Sequence, residues 1–173
     1  MILLWLLVAI LLMFGLTVFI GAPYVPTKKG DVRRAFKDLY VLTEGDTLLD
    51  IGSGDGVVLR IAAESGAKAI GYEINPILVV ISQWLSRGNP RVSTQLKNFW
   101  RSDFPPNTTV VYVFGESRDI ARMARRIQNQ VNKFDQSMYL ISYGFKVPGI
   151  KELASNNSHH LYSFVPDAKA EIK

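Results

Sequence analysis

Two acids close two apolar runs in this chain, and the residues around them have the spacing of a ligand site. Asp50 sits in Leu48-Leu49-Asp50-Ile51, which leads into Gly52-Ser53-Gly54-Asp55-Gly56 and then an apolar run from Val57 to Ala63. That order predicts a strand, a tight glycine turn and a helix start. Glycines let backbone approach a ligand without a Cβ in the way, and a helix start presents unpaired N–H groups. Glu73 closes a second strand-like run, Ala67–Ile74, seventeen residues after Gly56. A carboxylate there offers two oxygens to the two hydroxyls of a ribose. Asn98, at the end of a third run, can meet an adenine edge, with Ile74 and Phe99 flanking the ring.

The same residues exclude some ligands. A nicotinamide dinucleotide asks for Gly-x-Gly-x-x-Gly, but the third glycine position holds Val57. Asp50 and Asp55 would also place negative charge near a pyrophosphate. No Gly-Lys-Ser/Thr phosphate loop occurs. A ligand with a ribose, an amino-acid end and a positive centre suits the acids better, and S-adenosyl-L-methionine has all three. Asp50 would meet its amino group and Glu73 its ribose. The candidate cofactor contacts are Asp50, Gly52, Ser53, Gly54, Asp55, Gly56, Glu73, Ile74, Asn75, Asn98 and Phe99.

Composition narrows the chemistry further. There is no cysteine among the 173 residues, which removes disulfides, thiolate metal sites and a cysteine nucleophile. The two histidines, His159 and His160, are adjacent and read as a polar edge or loop, since neighbours on a strand face opposite ways. No metal site is expected. The net charge of +5 gathers at Lys28, Lys29, Arg33, Arg34 and Lys37, and again at Arg118, Arg122, Arg125 and Arg126. The second group reads as the solvated face of a helix. Nucleic acid is not the expected partner, although RNA stays open as an acceptor.

These residues must be positioned by the rest of the chain. Residues 1–22 carry no charge, and about 20 apolar residues suffice to cross a bilayer as a helix. Residues 1–21 are therefore expected to be a transmembrane anchor. Lys and Arg lie only on its C-terminal flank, which puts the following domain on the cytoplasmic side or its topological equivalent. Pro23-Tyr24-Val25-Pro26-Thr27 is a stiff, extended connection. Thr27 is expected to cap a helix from about Lys28 to Leu42, whose basic residues can meet anionic headgroups. Residues 22–42 form the entry segment and 43–173 the main domain. Strands are expected at 47–51, 67–74, 92–99, 109–114, 137–145 and 161–165. Helices are expected at 57–64, after Asn75-Pro76, at 117–131 and, briefly, at 148–154. Alternating strands and helices predict an α/β, doubly wound, mostly parallel sheet.

The sequence at this point resembles the class I, seven-strand S-adenosylmethionine-dependent methyltransferases. The resemblance rests on Leu48 to Gly56, on Gly71-Tyr72-Glu73-Ile74-Asn75-Pro76 and on Asn98-Phe99-Trp100. More narrowly, the chain is similar to membrane-anchored protein-lysine methyltransferases acting on the ATP synthase c subunit and the adenine nucleotide translocase. The hydrophobic N-terminus, Tyr24 to Thr27 and Val113-Phe114-Gly115 carry that likeness. It implies that Tyr24 and Thr27 fold over the methionine end of the cofactor. It also implies an acid where this chain has Asn98, so a catalytic part for that position is in question here.

The resemblance implies methyl transfer to a lysine of a membrane-associated protein. Tyr24, Asn98, Trp100 and Glu116 are the candidates near the reacting groups. The lysine must lose its proton by desolvation or to a base. Two alternatives stand: a lipid, quinone or other small membrane acceptor, and a membrane-tethered module that binds cofactor without turnover.

Overall fold

The computed structural model describes residues 1, 3–8, 27–114, 117–156 and 158–167. Most of the expected anchor lies outside these residues, as do Tyr24 and Glu116. Residues 3–8 are helical and expose Leu3, Leu4, Trp5, Leu6 and Leu7. Among the described residues no helix is long and apolar enough to cross a membrane.

The chain forms a seven-stranded sheet flanked by helices. The order is β1 (Thr47–Ile51), β2 (Lys68–Glu73), β3 (Val92–Leu96), β4 (Val110–Phe114), β5 (Met138–Tyr143), β6 (Ala154–Asn156) and β7 (His159–Phe164). The helices are α1 (Lys29–Asp38), α2 (Val57–Glu64), α3 (Pro76–Leu85) and α4 (Ser117–Phe134). In space the strands run β3-β2-β1-β4-β5-β7-β6. The first five are parallel, and β7 runs antiparallel between β5 and β6. The α/β, mostly parallel expectation therefore holds.

The strand order reverses beside β1, because β1 pairs with β2 on one side and β4 on the other. Ligands in such sheets bind at this switch point, beyond the carboxyl ends of the strands. Strand β1 is buried along its whole length, as its unbroken Thr47–Ile51 run requires for a strand covered on both faces. One core layer joins Val32, Ala35 and Phe36 of α1 with α2, Leu48, Val110 and Tyr112. The other joins Ile120, Ala124, Ile127 and Val131 of α4 with Leu49, Ile51, Val111 and Val113.

Several boundaries differ from expectation. Helix α1 stops at Asp38, its first-turn cap is Lys28, and no side chain closes its N-terminus, so Thr27 does not cap it. Thr27 is half-buried just ahead of the helix. The expected helix at 148–154 is a turn leading into the three-residue β6. Gly149, in the turn ahead of β6, takes a left-handed φ of 76°, and the β6–β7 hairpin then completes the sheet. His159 is not at a polar edge. It lies inside β7, 1% exposed.

Candidate functional site

The glycine turn is held in a backbone shape that only glycines take readily. Gly52, Gly54 and Gly56 have φ of 71°, 55° and 79°, the left-handed region in which a side chain costs energy. A Cβ on Gly52 would meet nothing within 4 Å, so the space beside it is open. A Cβ on Gly56 would collide with Ser82 Oγ of α3. Gly71 of β2 is needed for another reason: a Cβ there would lie 2.6 Å from Ser53 Cβ and 2.8 Å from Leu59 Cδ1. The turn thus packs directly onto β2.

Glu73 ties this turn to the next one. Its Oε2 accepts from Gly54 N at 2.9 Å, and its Oε1 accepts from Ile74 N and Asn75 N, both at 2.8 Å. A carboxylate offers about four acceptor positions. Three are filled by backbone, and the fourth, on Oε2, has no partner among the described residues. The expectation that both oxygens serve a ribose is therefore narrowed to one, because Oε1 is already saturated.

Asp50 is 3% exposed at the end of β1. Burial, then the neighbouring charges of Glu73 and Asp55, push its carboxyl well above the ordinary carboxylate range. A buried carboxyl held this way gains most from a cation placed beside it. The fit to a ligand bearing an ammonium group, a ribose and no phosphate rests on this acid, the open face of Gly52 and the spare position on Glu73.

Other expected contacts are placed differently. Ser53 packs its side chain against Gly71, and its buried Oγ has no partner among the described residues. Asp55 accepts from Val57 N at 3.3 Å and pairs with Arg60, whose Nη1 also donates to the Asp55 carbonyl at 2.6 Å. Asn75 is buried and caps α3, its Oδ1 accepting from Ile77 N at 3.0 Å. Ile74 stays half-buried beside Glu73. Phe99 is core, not a ring-flanking surface: it is buried among Ile51, Tyr72 and Phe104.

Asn98 and Trp100 belong to one tight turn. Asn98 Oδ1 accepts from Trp100 N at 2.9 Å, and its carbonyl accepts from Arg101 N and Ser102 N. The side-chain oxygen is thereby committed to the backbone, which leaves the amide N–H groups for a ligand. Arg126 of α4 donates to the carbonyls of Phe99 and Ser102 at 2.8 and 2.6 Å. Arg122 lies over the Trp100 ring, 4.2 Å from its centroid. That face of Trp100 is thus occupied by a cation and is no wall for an ammonium. The basic face of α4 is in part a clamp on this turn rather than merely solvated; the i, i+4 spacing of Arg122 and Arg126 is the sequence signal for it.

A polar cluster that the linear pattern does not announce lies on the α1 side of β4, β5 and β7. Tyr112 pairs in register with Asp50, and its hydroxyl meets His159 Nε2 at 3.0 Å. Tyr143, opposite His159, donates to Asp31 Oδ2 of α1 at 3.3 Å. Burial lowers the His159 pKa to about 4, so its ring is neutral at pH 7. Burial, then the nearby Asp50 charge, raises the Tyr112 phenol. Both groups stay uncharged beside the end of β1. Among the described residues no cluster of His, Asp and Glu could hold a metal.

A family model described as the ANTKMT methyltransferase domain matches residues 50–154. The lysine N-methyltransferase of the ATP synthase c subunit from Xenopus laevis is 31% identical over 112 residues, covering 63% of this chain and 48% of that protein. The protein of the same name from Caenorhabditis elegans is 34% identical over 103 residues, covering 55% and 54%. The chain spans about half the length of the curated relatives it matches. Among solved structures, an RNA methyltransferase from Salinibacter ruber in complex with S-adenosyl-L-homocysteine superposes with a TM-score of 0.72 at 24% identity, over 85% of this chain and 97% of the other. That likeness concerns the fold.

Proposed function

The chain belongs to the ANTKMT methyltransferase domain family, and on that premise we propose that it transfers a methyl group from S-adenosyl-L-methionine to a lysine side chain of a membrane-associated protein. The observation that carries the proposal is the family match, which begins at Asp50 and takes in the whole glycine turn, Glu73 and the Asn98–Ser102 turn. Relatives named for lysine methylation of the ATP synthase c subunit support the acceptor class.

The cofactor supplies an electrophilic methyl group when bound. Asp50 would hold its ammonium group, the spare position on Glu73 Oε2 would take a ribose hydroxyl, and the amide of Asn98 would donate to the adenine edge. The backbone from Gly52 to Gly56 forms the floor. The protein's task is to align acceptor and methyl and to exclude water. A lysine amine with an ordinary pKa near 10.4 must shed its proton first, and desolvation at the strand ends favours the neutral form. His159 and Tyr112, both uncharged, add no cation to that region.

The membrane setting is part of the proposal. Residues 1–21 serve as a single-pass anchor, with 22–42 leading over the cofactor site and 43–173 as the catalytic domain on the cytoplasmic or topologically equivalent side. The uncharged stretch 1–22 and the exposed side chains of Leu3 to Leu7 support this reading. Incubation with methyl-labelled S-adenosylmethionine and membranes tests it. Label recovered as methyl-lysine in a protein band is the expected result. Label in the lipid extract, in RNA or nowhere would overturn the acceptor assignment.

A further inference from the structure

Helix α3 is apolar on its inward side and on its outward side. Its inward side holds Leu78, Val79 and the fully buried Ser82, whose hydroxyl pairs with Thr94 Oγ1 at 2.6 Å. Its outward side carries Ile77, Val80, Ile81, Trp84 and Leu85, at the i, i+3, i+4, i+7, i+8 spacing of one helical stripe. Val80 is 64% exposed and Trp84 62%. Leu96 of the neighbouring edge strand is exposed as well. A surface helix ordinarily buries its apolar stripe, and a contiguous exposed apolar surface marks a contact.

The charges on the segment that carries the stripe are of one sign. Between Glu73 and Asp103 the chain has four cations, Arg87, Arg91, Lys97 and Arg101, and no acid. All four are exposed. Arg87 lies over the Trp84 ring, 4.7 Å from its centroid, which joins an aromatic and a cation as at a membrane–water boundary. An apolar stripe containing Trp, rimmed by Lys and Arg, is the pattern of a helix lying in the plane of an anionic bilayer.

We propose that the outer face of α3 rests on an anionic lipid surface and sets the orientation of the domain on the membrane. Parallel right-handed crossovers that step in one direction lie on one face of a sheet, so α2 and α3 share a face, and α1 packs with α2 in the same core layer. The exposed Lys29 and Lys37 of α1, with Lys28 at its cap, therefore lie on the sheet face that carries the stripe. The stripe starts at Ile77, two residues after Asn75, next to Glu73. A bilayer touching it stands at the rim of the cofactor site, where a lysine at the membrane boundary can reach. The proposal rests on the membrane setting given above and is tested separately from it.

The absence of cysteine allows single-site labelling of the full chain. An environment-sensitive fluorophore is placed by Val80→Cys on the stripe, by Leu12→Cys in the anchor segment, and by Asn129→Cys on the exposed side of α4. Vesicles of phosphatidylcholine with about one third phosphatidylglycerol supply the anionic surface. The label at position 80 is expected to shift to the blue and to be quenched by lipid-borne nitroxides, while the label at 129 stays aqueous. Neutral vesicles, high salt or Arg87→Glu with Lys97→Glu should reduce the quenching at position 80 several-fold and leave position 12 unchanged. A label at 80 that stays aqueous while the label at 12 is in lipid overturns the proposal. So does a label at 80 buried without vesicles in a chain of dimeric mass, which assigns the face to a second copy. An aqueous label at 12 with a lipid-embedded label at 80 refutes the anchor and upholds this contact.

Discussion

Substitution Glu73→Gln tests whether one carboxylate both braces the glycine turn and receives the ligand. The change is nearly isosteric, so the loss comes from charge and donor pattern. Glu73 takes three backbone N–H bonds, one from Gly54 and two from Ile74 and Asn75. In the amide, the oxygen satisfies the Ile74 and Asn75 pair, which turns the NH2 group onto the Gly54 N–H. Two donors then face each other, and a buried N–H without an acceptor costs about 1–3 kcal/mol. The two remaining bonds lose their charge assistance, which roughly halves their strength. The expected destabilisation is about 2–4 kcal/mol, concentrated at Gly54. The acceptor position on Oε2 proposed for a ribose hydroxyl disappears at the same time. Affinity for S-adenosyl-L-homocysteine, measured by calorimetry at a temperature where circular dichroism shows the variant folded, should fall about 10- to 100-fold, equivalent to about 1.4–2.8 kcal/mol. Affinity within twofold of the parent, with unchanged urea stability, would refute the assignment of Glu73 to both tasks.

Two further outcomes follow from the packing and the buried histidine. Gly56→Ala should destabilise the chain by more than the roughly 1 kcal/mol of a left-handed non-glycine residue, because the new methyl strikes Ser82 Oγ. Adding Ser82→Ala should recover part of that excess, and strictly additive urea-unfolding energies would deny the contact. For His159, the folded pKa of about 4 lies below the ordinary 6.5. The unfolded chain therefore binds a proton that the folded chain refuses, and stability present above pH 6.5 is lost as pH falls toward 4. Between pH 7 and 5 this amounts to roughly 2 kcal/mol. The raised pKa of Asp50 acts in the opposite sense but is shared by parent and variant. His159→Gln, whose amide can still face the Tyr112 hydroxyl, should therefore lose less stability over that range; equal losses in urea titrations would show that His159 ionises freely.

Much of the site is legible in the linear chain because its parts are local. Gly52, Gly54 and Gly56 lie between a buried apolar run and a helical run, and their residue type permits the left-handed φ values that the turn takes. Asp50 and Glu73 fall at strand ends because hydrophobic periodicity fixes where strands stop. The parallel sheet follows from the alternation of strands and helices. Boundaries are less legible: α1 ends at Asp38 with Leu39 as its C-cap, rather than at Leu42, although Leu39 and Tyr40 still pack against the core.

What each polar atom does depends on which partner the fold brings. Glu73 Oε1 is saturated and Oε2 is not, because Gly54, 19 residues earlier, supplies only one N–H. Asn98 spends its oxygen on its own turn, and Arg126, 27 residues beyond Phe99, fixes that turn. His159 reads as an edge residue beside His160, yet β7 carries it beneath Tyr112, 47 residues away, while Tyr143 reaches Asp31 across 112. The elements, and the placing of the acids and glycines at their ends, can be read from the linear chain because backbone preference and apolar period act between near neighbours. Tertiary structure alone decided which oxygens remain free, which histidine is buried and which face of α3 is left to solvent, because hydrogen bonding and burial depend on residues far apart in the chain.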